Sequence, residues 1–155
     1  WRIAGVQEGS LITKICRKFL GANFPKEGYK LLGSIDEENL VKELLNSHIY
    51  VMPSHIENSP NNLCEAMILG MPCIATFAGG TGSILKDGEE GILIQDADPF
   101  AMAGAVVELI RRPTEARELG RKARMRALLR HNHSRILDQY VNIYEKTISN
   151  KKFGN

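Results

Sequence analysis

The chain has 155 residues, of which 43% are hydrophobic and 25% are charged, and this composition is typical of a soluble globular domain. The formal net charge of +2 is too small to indicate nucleic-acid binding, and no apolar run approaches the ~20 residues of a membrane span. Three cysteines without CxxC spacing favour reduced thiols over disulfides or a zinc site. We therefore expect a cytoplasmic protein that binds no nucleic acid.

Short apolar runs predict the strands of a parallel sheet. They occupy residues 2–5, 29–33, 49–53, 72–77 and 91–95. Runs this short and apolar are typical of strands that are buried on both faces. Helices are expected between them, near residues 10–20, 37–47 and 62–69. This order predicts an α/β fold, with a Rossmann-like parallel sheet sandwiched by helices.

Helical patterns replace strand patterns after residue 95. Met102, Val106 and Leu109 recur with the spacing of one helix face, and further helices are expected over 114–129 and around residue 140. The sequence thus predicts additional C-terminal helices.

The chain begins with Trp1, inside a predicted strand, rather than with Met. We therefore interpret residues 1–148 as one domain that is truncated at its N-terminus. The remaining residues, 149–155, have no pattern and are predicted to form a frayed tail.

The helix over 114–129 is rich in basic residues. They are Arg117, Arg121, Lys122, Arg124, Arg126 and, just beyond it, Arg130. Such a face could meet anionic lipid or a phosphate-rich partner. Because Glu115 and Glu118 dilute the charge, an ordinary solvated face is the favoured interpretation.

The stretch after the third strand carries two glutamates. Ligands of open α/β sheets bind beyond the carboxyl ends of the strands, so this stretch is a candidate site. Asn62 and Glu65 have the spacing of a capping box, in which both serve only to begin a helix. A ligand would use the same geometry, because helix N–H groups suit a diphosphate and the Glu65 carboxylate could accept from a ribose diol. Glu57, one loop earlier, could contact other hydroxyls of that ligand.

The segment AGGTGS follows the fourth strand. Its glycines, Gly79 and Gly80, would let the backbone approach a ligand closely, although a plain turn needs no more. No GK[ST] follows, which excludes a P-loop, and Leu85 stands where a dinucleotide fingerprint needs its third glycine. His131 and His133 would not share a helix face, so a metal site is not expected there.

Three motifs follow one another in the second half of the predicted sheet. They are ENSPNNLCEAMILGMPCIAT, GGTGSIL and DGEEGILIQDADP. In the same order, they resemble the E-G-x-P-N-x-x-x-E-A-M-x-x-G-x-P-V-V-A-T, G-G-x-x-E-I-V and D-G-x-x-G-x-L-V-x-P-x-D-P motifs of retaining GT-B glycosyltransferases of the family 4, or group 1, type. The likeness covers about residues 2–111. It implies one half of a GT-B fold, the donor-binding domain of a hexosyltransferase-type enzyme that moves a sugar from a nucleotide-sugar to an acceptor hydroxyl with retention.

The resemblance also implies roles for individual residues. Glu65 would bind the nucleotide ribose, and Glu57 would contact the donor sugar. In the front-face route proposed for the family the leaving phosphate is the base, so Glu57 would act catalytically by positioning and electrostatics rather than as a nucleophile. The other expected donor contacts are Asn62, Leu63 and Cys64 on the diphosphate, Gly79, Gly80 and Thr81 beside sugar and phosphate, and Gly33, Ser34 and Ile35 on the base.

The chain departs from the family pattern in places. Asn58 replaces a glycine, and Ser83 stands where the family usually has Glu. An upstream unit with an Arg and a Lys for the diphosphate, and the acceptor-binding domain, are missing. We therefore expect this piece to be inactive alone and to bind nucleotide weakly.

Partners follow from the same resemblance. They are a nucleotide-sugar donor, and a glycan or lipid-linked acceptor that the missing N-terminal domain would bind, as in polysaccharide biosynthesis. No cofactor and no protein-held metal are expected, and peripheral contact with the inner face of the membrane stays open.

The alternative is a non-catalytic nucleotide-binding or interaction domain of Rossmann-like fold. A dehydrogenase-type domain is disfavoured, because GVQEGS after the first strand lacks the glycine fingerprint. A receiver-type module is disfavoured because its acidic cluster and lysine are missing.

Overall fold

The computed structural model describes residues 1–151, with side chains through residue 149. Two compact units follow one another along the chain, an N-terminal unit, Trp1–Ser47, and a C-terminal unit that begins at His48. Residues 152–155, part of the tail predicted to be frayed, lie outside the described residues. Among the helices that are described, none is both long and apolar enough to cross a bilayer.

The N-terminal unit contains two strand–helix repeats. Its elements are β1 (Arg2–Ala4), α1 (Leu11–Leu20), β2 (Lys30–Gly33) and α2 (Glu37–Leu45). β1 and β2 pair in parallel. The helix α1 begins at Ser10, whose Oγ accepts the N–H of Thr13 at 3.3 Å. Both helices therefore begin within a residue of their predicted starts.

The C-terminal unit holds the remaining elements. They are β3 (Tyr50–Met52), α3 (Asn61–Ile68), β4 (Cys73–Thr76), α4 (Thr81–Ile84), β5 (Ile92–Ile94), α5 (Pro99–Arg111), α6 (Pro113–Arg130) and α7 (His133–Lys151). The three strands form a parallel sheet in the order β3-β4-β5. The predicted α/β class, with parallel strands and flanking helices, is confirmed.

The core of the C-terminal unit lies against its central strand. All four residues of β4 are buried, as the continuous apolar run predicts. Ile74 packs with Ile94 of β5 and with Val106 and Leu109 of α5. From α3, Leu63 is fully buried. Each such side chain contributes about 1.5–3 kcal/mol by leaving water.

The helix α6 packs very closely on the end of α3. Its buried residues are all small, namely Ala116, Gly120, Ala123 and Ala127. A Cβ at Gly120 would lie 2.2 Å from the carbonyl oxygen of Gly70, so only glycine permits this approach. Arg124 donates to the carbonyl of Ile68 at the end of α3. The basic helix is thus partly structural, rather than only a solvated face.

Candidate functional site

The candidate site lies at the carboxyl edge of the three-stranded sheet. Because β3, β4 and β5 are parallel, the segments that follow them, 53–60, 77–80 and 95–98, leave the sheet at the same edge. This is the edge at which open α/β sheets bind ligands. Most of the predicted site residues lie in or next to these segments.

The first two segments interlock through their backbones. A Cβ at Gly79 would lie 1.6 Å from the carbonyl oxygen of Glu57, and one at Gly80 would lie 2.0 Å from that of Asn58. Only glycine fits at either position, and Gly79 also has a positive φ of +50°. The glycine pair thus permits a close approach to the loop that carries Glu57, and its predicted approach to a ligand stays a prediction.

Thr81 faces inward at the start of α4. Its side chain is fully buried, and its Oγ1 donates to the carbonyl of Ala78 at 2.7 Å, as does its backbone N–H at 3.1 Å. The Thr81 side chain is therefore committed to the turn. The hydroxyl and the N–H of Thr81 are both occupied within the turn.

The predicted capping box at the start of α3 is wrong. The helix begins at Asn61, with Pro60 in the N-cap position and no side-chain cap. The Asn62 Oδ1 instead accepts the N–H of the adjacent Leu63 at 2.9 Å. Pro60 has no N–H that needs a partner, and its carbonyl accepts the first helical hydrogen bond, so the helix starts before the position that the Asn62 and Glu65 spacing indicates.

The shifted helix start changes which amides are available. The N–H of Cys64 donates to Pro60 as the first hydrogen bond of α3, so the predicted diphosphate contact of Cys64 is not available through its amide. Of the N–H groups that the helix cannot satisfy internally, that of Leu63 already donates to Asn62 Oδ1, which leaves those of Asn61 and Asn62 available. Asn61 was missed, although Pro60 could have indicated it.

Glu65 is exposed, and within the described part of the chain its carboxylate has neither a hydrogen bond nor an ion pair. Glu57 is half-buried. Burial raises the pKa of the Tyr50 hydroxyl, and the charges of the Cys73 thiol, Glu57 and Glu65 raise it further. The carboxylates of Glu57 and Glu65 thus both lie close enough to Tyr50 to raise the pKa of its hydroxyl.

A histidine–carboxylate pair at the same edge was not predicted from the sequence. His55 Nδ1 lies 2.7 Å from Asp96 Oδ1, so the pair joins the segment after β3 to the segment after β5. The next residue, Ala97, has a positive φ of 60°, which is strained for a residue with a Cβ. The sequence signal for this pair was that His55 and Asp96 each follow the carboxyl end of a strand within three residues.

The buried cysteines are poor nucleophiles. Burial, and then the neighbouring Cys64, raise the pKa of Cys73 to about 12. Burial also raises the pKa of Cys64, although Arg130 opposes the change. Within the described residues, no group of three or more His, Cys, Asp or Glu side chains is arranged to hold a metal ion.

The predicted base-binding residues belong to the N-terminal unit. Gly33 ends β2 with a φ of +66°, and its Cβ position is 3.2 Å from Gln7 Cγ. Ser34 is exposed and Ile35 is half-buried. Their part in a ligand site stays a prediction.

The parallel sheet and its edge define an α/β domain of the Rossmann-like class. A family model described as "Glycosyl transferases group 1" matches residues 15–126, and the chain belongs to this family.

Curated relatives agree with this assignment. The chain is 28% identical over 118 residues to N-acetyl-alpha-D-glucosaminyl L-malate synthase of Bacillus anthracis, covering 76% of this chain and 31% of that protein. It is 30% identical over 120 residues to phosphatidyl-myo-inositol mannosyltransferase of Mycobacterium leprae, covering 77% and 32%. The chain therefore spans about a third of the length of these relatives.

Solved structures share the fold. Sucrose-phosphate synthase from Thermosynechococcus elongatus superposes with a TM-score of 0.79 at 24% identity, covering 96% of this chain and 38% of that chain. Anabaena Alr3699/HepE in complex with UDP-glucose gives 0.78 at 18% identity, covering 93% and 40%. The similarity supports the fold class.

Proposed function

We propose that this chain is the donor-binding part of a retaining glycosyltransferase that moves a sugar from a nucleotide-sugar to an acceptor hydroxyl. The observation that carries the proposal is the interlock of the Glu57 loop with Gly79 and Gly80. It brings two of the three family motifs together at the sheet edge where ligands bind. Membership of the family and the UDP-glucose complex of Alr3699/HepE support the proposal.

The start of α3 is the proposed diphosphate site. The available N–H groups of Asn61 and Asn62 lie at a helix N-terminus, where the helix dipole favours an anion by about 0.3–1 kcal/mol, whereas the N–H of Leu63 donates to Asn62 Oδ1. The glycine backbone of Gly79 and Gly80 flanks the same edge. Both elements stabilise negative charge on the leaving phosphate without a metal held by the protein.

The carboxylates of Glu65 and Glu57 contact different parts of the nucleotide-sugar donor. Glu65, exposed on the second turn of α3, accepts hydrogen bonds from the ribose diol. Glu57, half-buried and fixed by its backbone against Gly79, positions the hydroxyls of the sugar and stabilises positive charge that develops at the transferred carbon. The leaving phosphate takes the acceptor proton, so Glu57 forms no covalent bond.

The contacts of Gly33, Ser34 and Ile35 with the base rest on the family resemblance alone. So do a glycan or lipid-linked acceptor, action at the inner face of a membrane, and the inactivity of this piece by itself.

Calorimetric titration of the chain with UDP, GDP and ADP tests the donor site. We expect one nucleotide to bind, weakly, and Glu65→Gln to weaken it by at least about tenfold, the equivalent of 1.4 kcal/mol. Glu145→Gln is the matched control, because Glu145 is also an exposed glutamate on a helix, α7, but lies outside the proposed donor contacts.

Unchanged nucleotide affinity in Glu65→Gln, with circular dichroism showing an intact fold, would contradict the ribose assignment. Absence of binding by all three nucleotides would favour a non-catalytic interaction domain.

A further inference from the structure

The corner between α6 and α7 contains a basic surface cavity that is open to solvent. Its volume is about 270 Å³, and its lining residues are Arg126, Leu129, Arg130, Arg135 and Gln139. The lining thus contains three guanidinium groups and one amide but no carboxylate. Guanidinium groups are the preferred donors to phosphate oxygens, because their N–H groups can bind two oxygens at once.

The positive charge of this cavity is poorly compensated. Arg126 Nε lies 3.9 Å from Glu90 Oε1, at the outer limit of an ion pair. Arg130 Nη1 donates to a neutral group, the carbonyl of Ser83, at 3.2 Å. In the part of the chain that the structure describes, no carboxylate is within ion-pair distance of Arg130 or Arg135.

The start of α7 adds to the excess of positive charge at this corner. Arg135 lies in the first turn of α7, which contains no acidic residue, and the N–H of Arg135 is capped by Asn132 Oδ1 at 2.9 Å. A helix N-terminus carries a partial positive charge, so a cation there is unfavourable unless an anion is close. An anion bound at this corner would therefore meet both the helix N-terminus and exposed guanidinium groups that have no carboxylate partner among the described residues.

The α6–α7 corner lies near the start of α3, which is the proposed diphosphate site. Along α6, Gly120 and Arg124 meet the last residues of α3, whereas Arg130 acts on the pKa of Cys64, in the first half of α3. The two helices are therefore antiparallel, and α6 ends near the start of α3. The bond of Arg130 to Ser83 ties the corner to α4 as well.

We propose that the α6–α7 corner is an anion site that binds a phosphate group through Arg126, Arg130 and Arg135, with Gln139 as an additional hydrogen-bond donor. The phosphate belongs either to the nucleotide-sugar or to a second, phosphorylated ligand, and the chemistry of recognition is the same in both cases. The inference does not depend on the proposed function, since it rests on the charge and shape of the corner.

Titration of the chain with inorganic phosphate, glycerol 3-phosphate and UDP, followed by NMR, tests the proposal. We expect phosphate and glycerol 3-phosphate to shift the amide signals of residues near 130–139. Arg135→Gln should weaken this binding by about tenfold, since one charge-assisted pair is lost. Arg130→Gln should have a similar effect, and Arg117→Gln, on the same helix α6 but outside the cavity lining, should have none.

The UDP titration distinguishes the two sources. If Arg135→Gln weakens UDP as much as phosphate, the site binds the donor; if UDP is unaffected, it binds a second ligand. Glu65→Gln should leave phosphate binding unchanged, which separates this proposal from the donor-site proposal. Equal phosphate binding by the wild-type protein and Arg135→Gln, an equal loss in Arg117→Gln, or no binding at millimolar phosphate would overturn the proposal.

Discussion

The two units use similar strand–helix repeats but bury them very differently. In the C-terminal unit, β4 is buried at all four residues. In the N-terminal unit, β1 is exposed at all three residues, and the large apolar side chains of α1 are exposed, with Phe19 at 88%. The same sequence pattern therefore has different energetic weight in the two units, because burial rather than periodicity determines how much a side chain stabilises the fold.

Truncation of a core leucine should give the largest difference between the units. Leu63 of α3 is fully buried, so Leu63→Ala should lower the free energy of unfolding by about 2–5 kcal/mol. Ile15→Ala in α1, where the side chain is 56% exposed, should cost less than about 1 kcal/mol. Urea denaturation of both variants measures this, and equal losses would contradict the contrast in burial.

Substitutions at two glycines with positive φ allow the cost of a steric clash to be distinguished from the cost of backbone strain alone. Gly79→Ala places a Cβ 1.6 Å from the Glu57 carbonyl oxygen and should cost roughly 3 kcal/mol, since the interlocked loops must move apart. Gly28→Ala, in the N-terminal unit, meets nothing within 4 Å and should cost only about 1 kcal/mol. Thermal unfolding of both variants tests the comparison. A similar cost at both glycines would mean that the loops are not interlocked.

Ala97→Gly should stabilise the C-terminal unit slightly. Relief of the positive φ at Ala97 is worth about 1 kcal/mol, reduced by the greater freedom of glycine in the unfolded chain. The expected result is an increase of a few degrees or less in the unfolding midpoint. A decrease would show that the Cβ of Ala97 makes contacts that outweigh the strain.

The reactivity of one cysteine in each unit allows the two units to be compared without any substitution. Cys16 of α1 is exposed, whereas the pKa of Cys73 in β4 is raised to about 12 by burial and by Cys64. Because the thiolate is the reactive form, Cys73 stays protonated at pH 8 and Cys16 should react first with iodoacetamide. Mass spectrometry of the native protein over time measures the order. Simultaneous labelling of both cysteines would indicate that β4 opens readily.

Much of the fold and of the site could be predicted from the sequence. The apolar runs indicate strands at the correct places, and the order of strands and helices indicates a parallel α/β arrangement. The placement of Glu57, Glu65 and the glycine pair after strands indicates one sheet edge, because parallel strands share the direction of their carboxyl ends. These properties depend on neighbours along the chain, which a sequence displays directly.

The start of α3 was predicted wrongly although its signal is local, since Pro60 directly precedes Asn61. The amide of Cys64 is used internally and that of Asn61 is available. Other features depend on residues that are distant in sequence. The contact of Gly79 with Glu57, the pair of His55 with Asp96, and the arginine-lined corner of α6 and α7 were likewise not predicted. Each joins separate segments whose distance no local pattern encodes, and only the packing of the sheet and its helices brings them together.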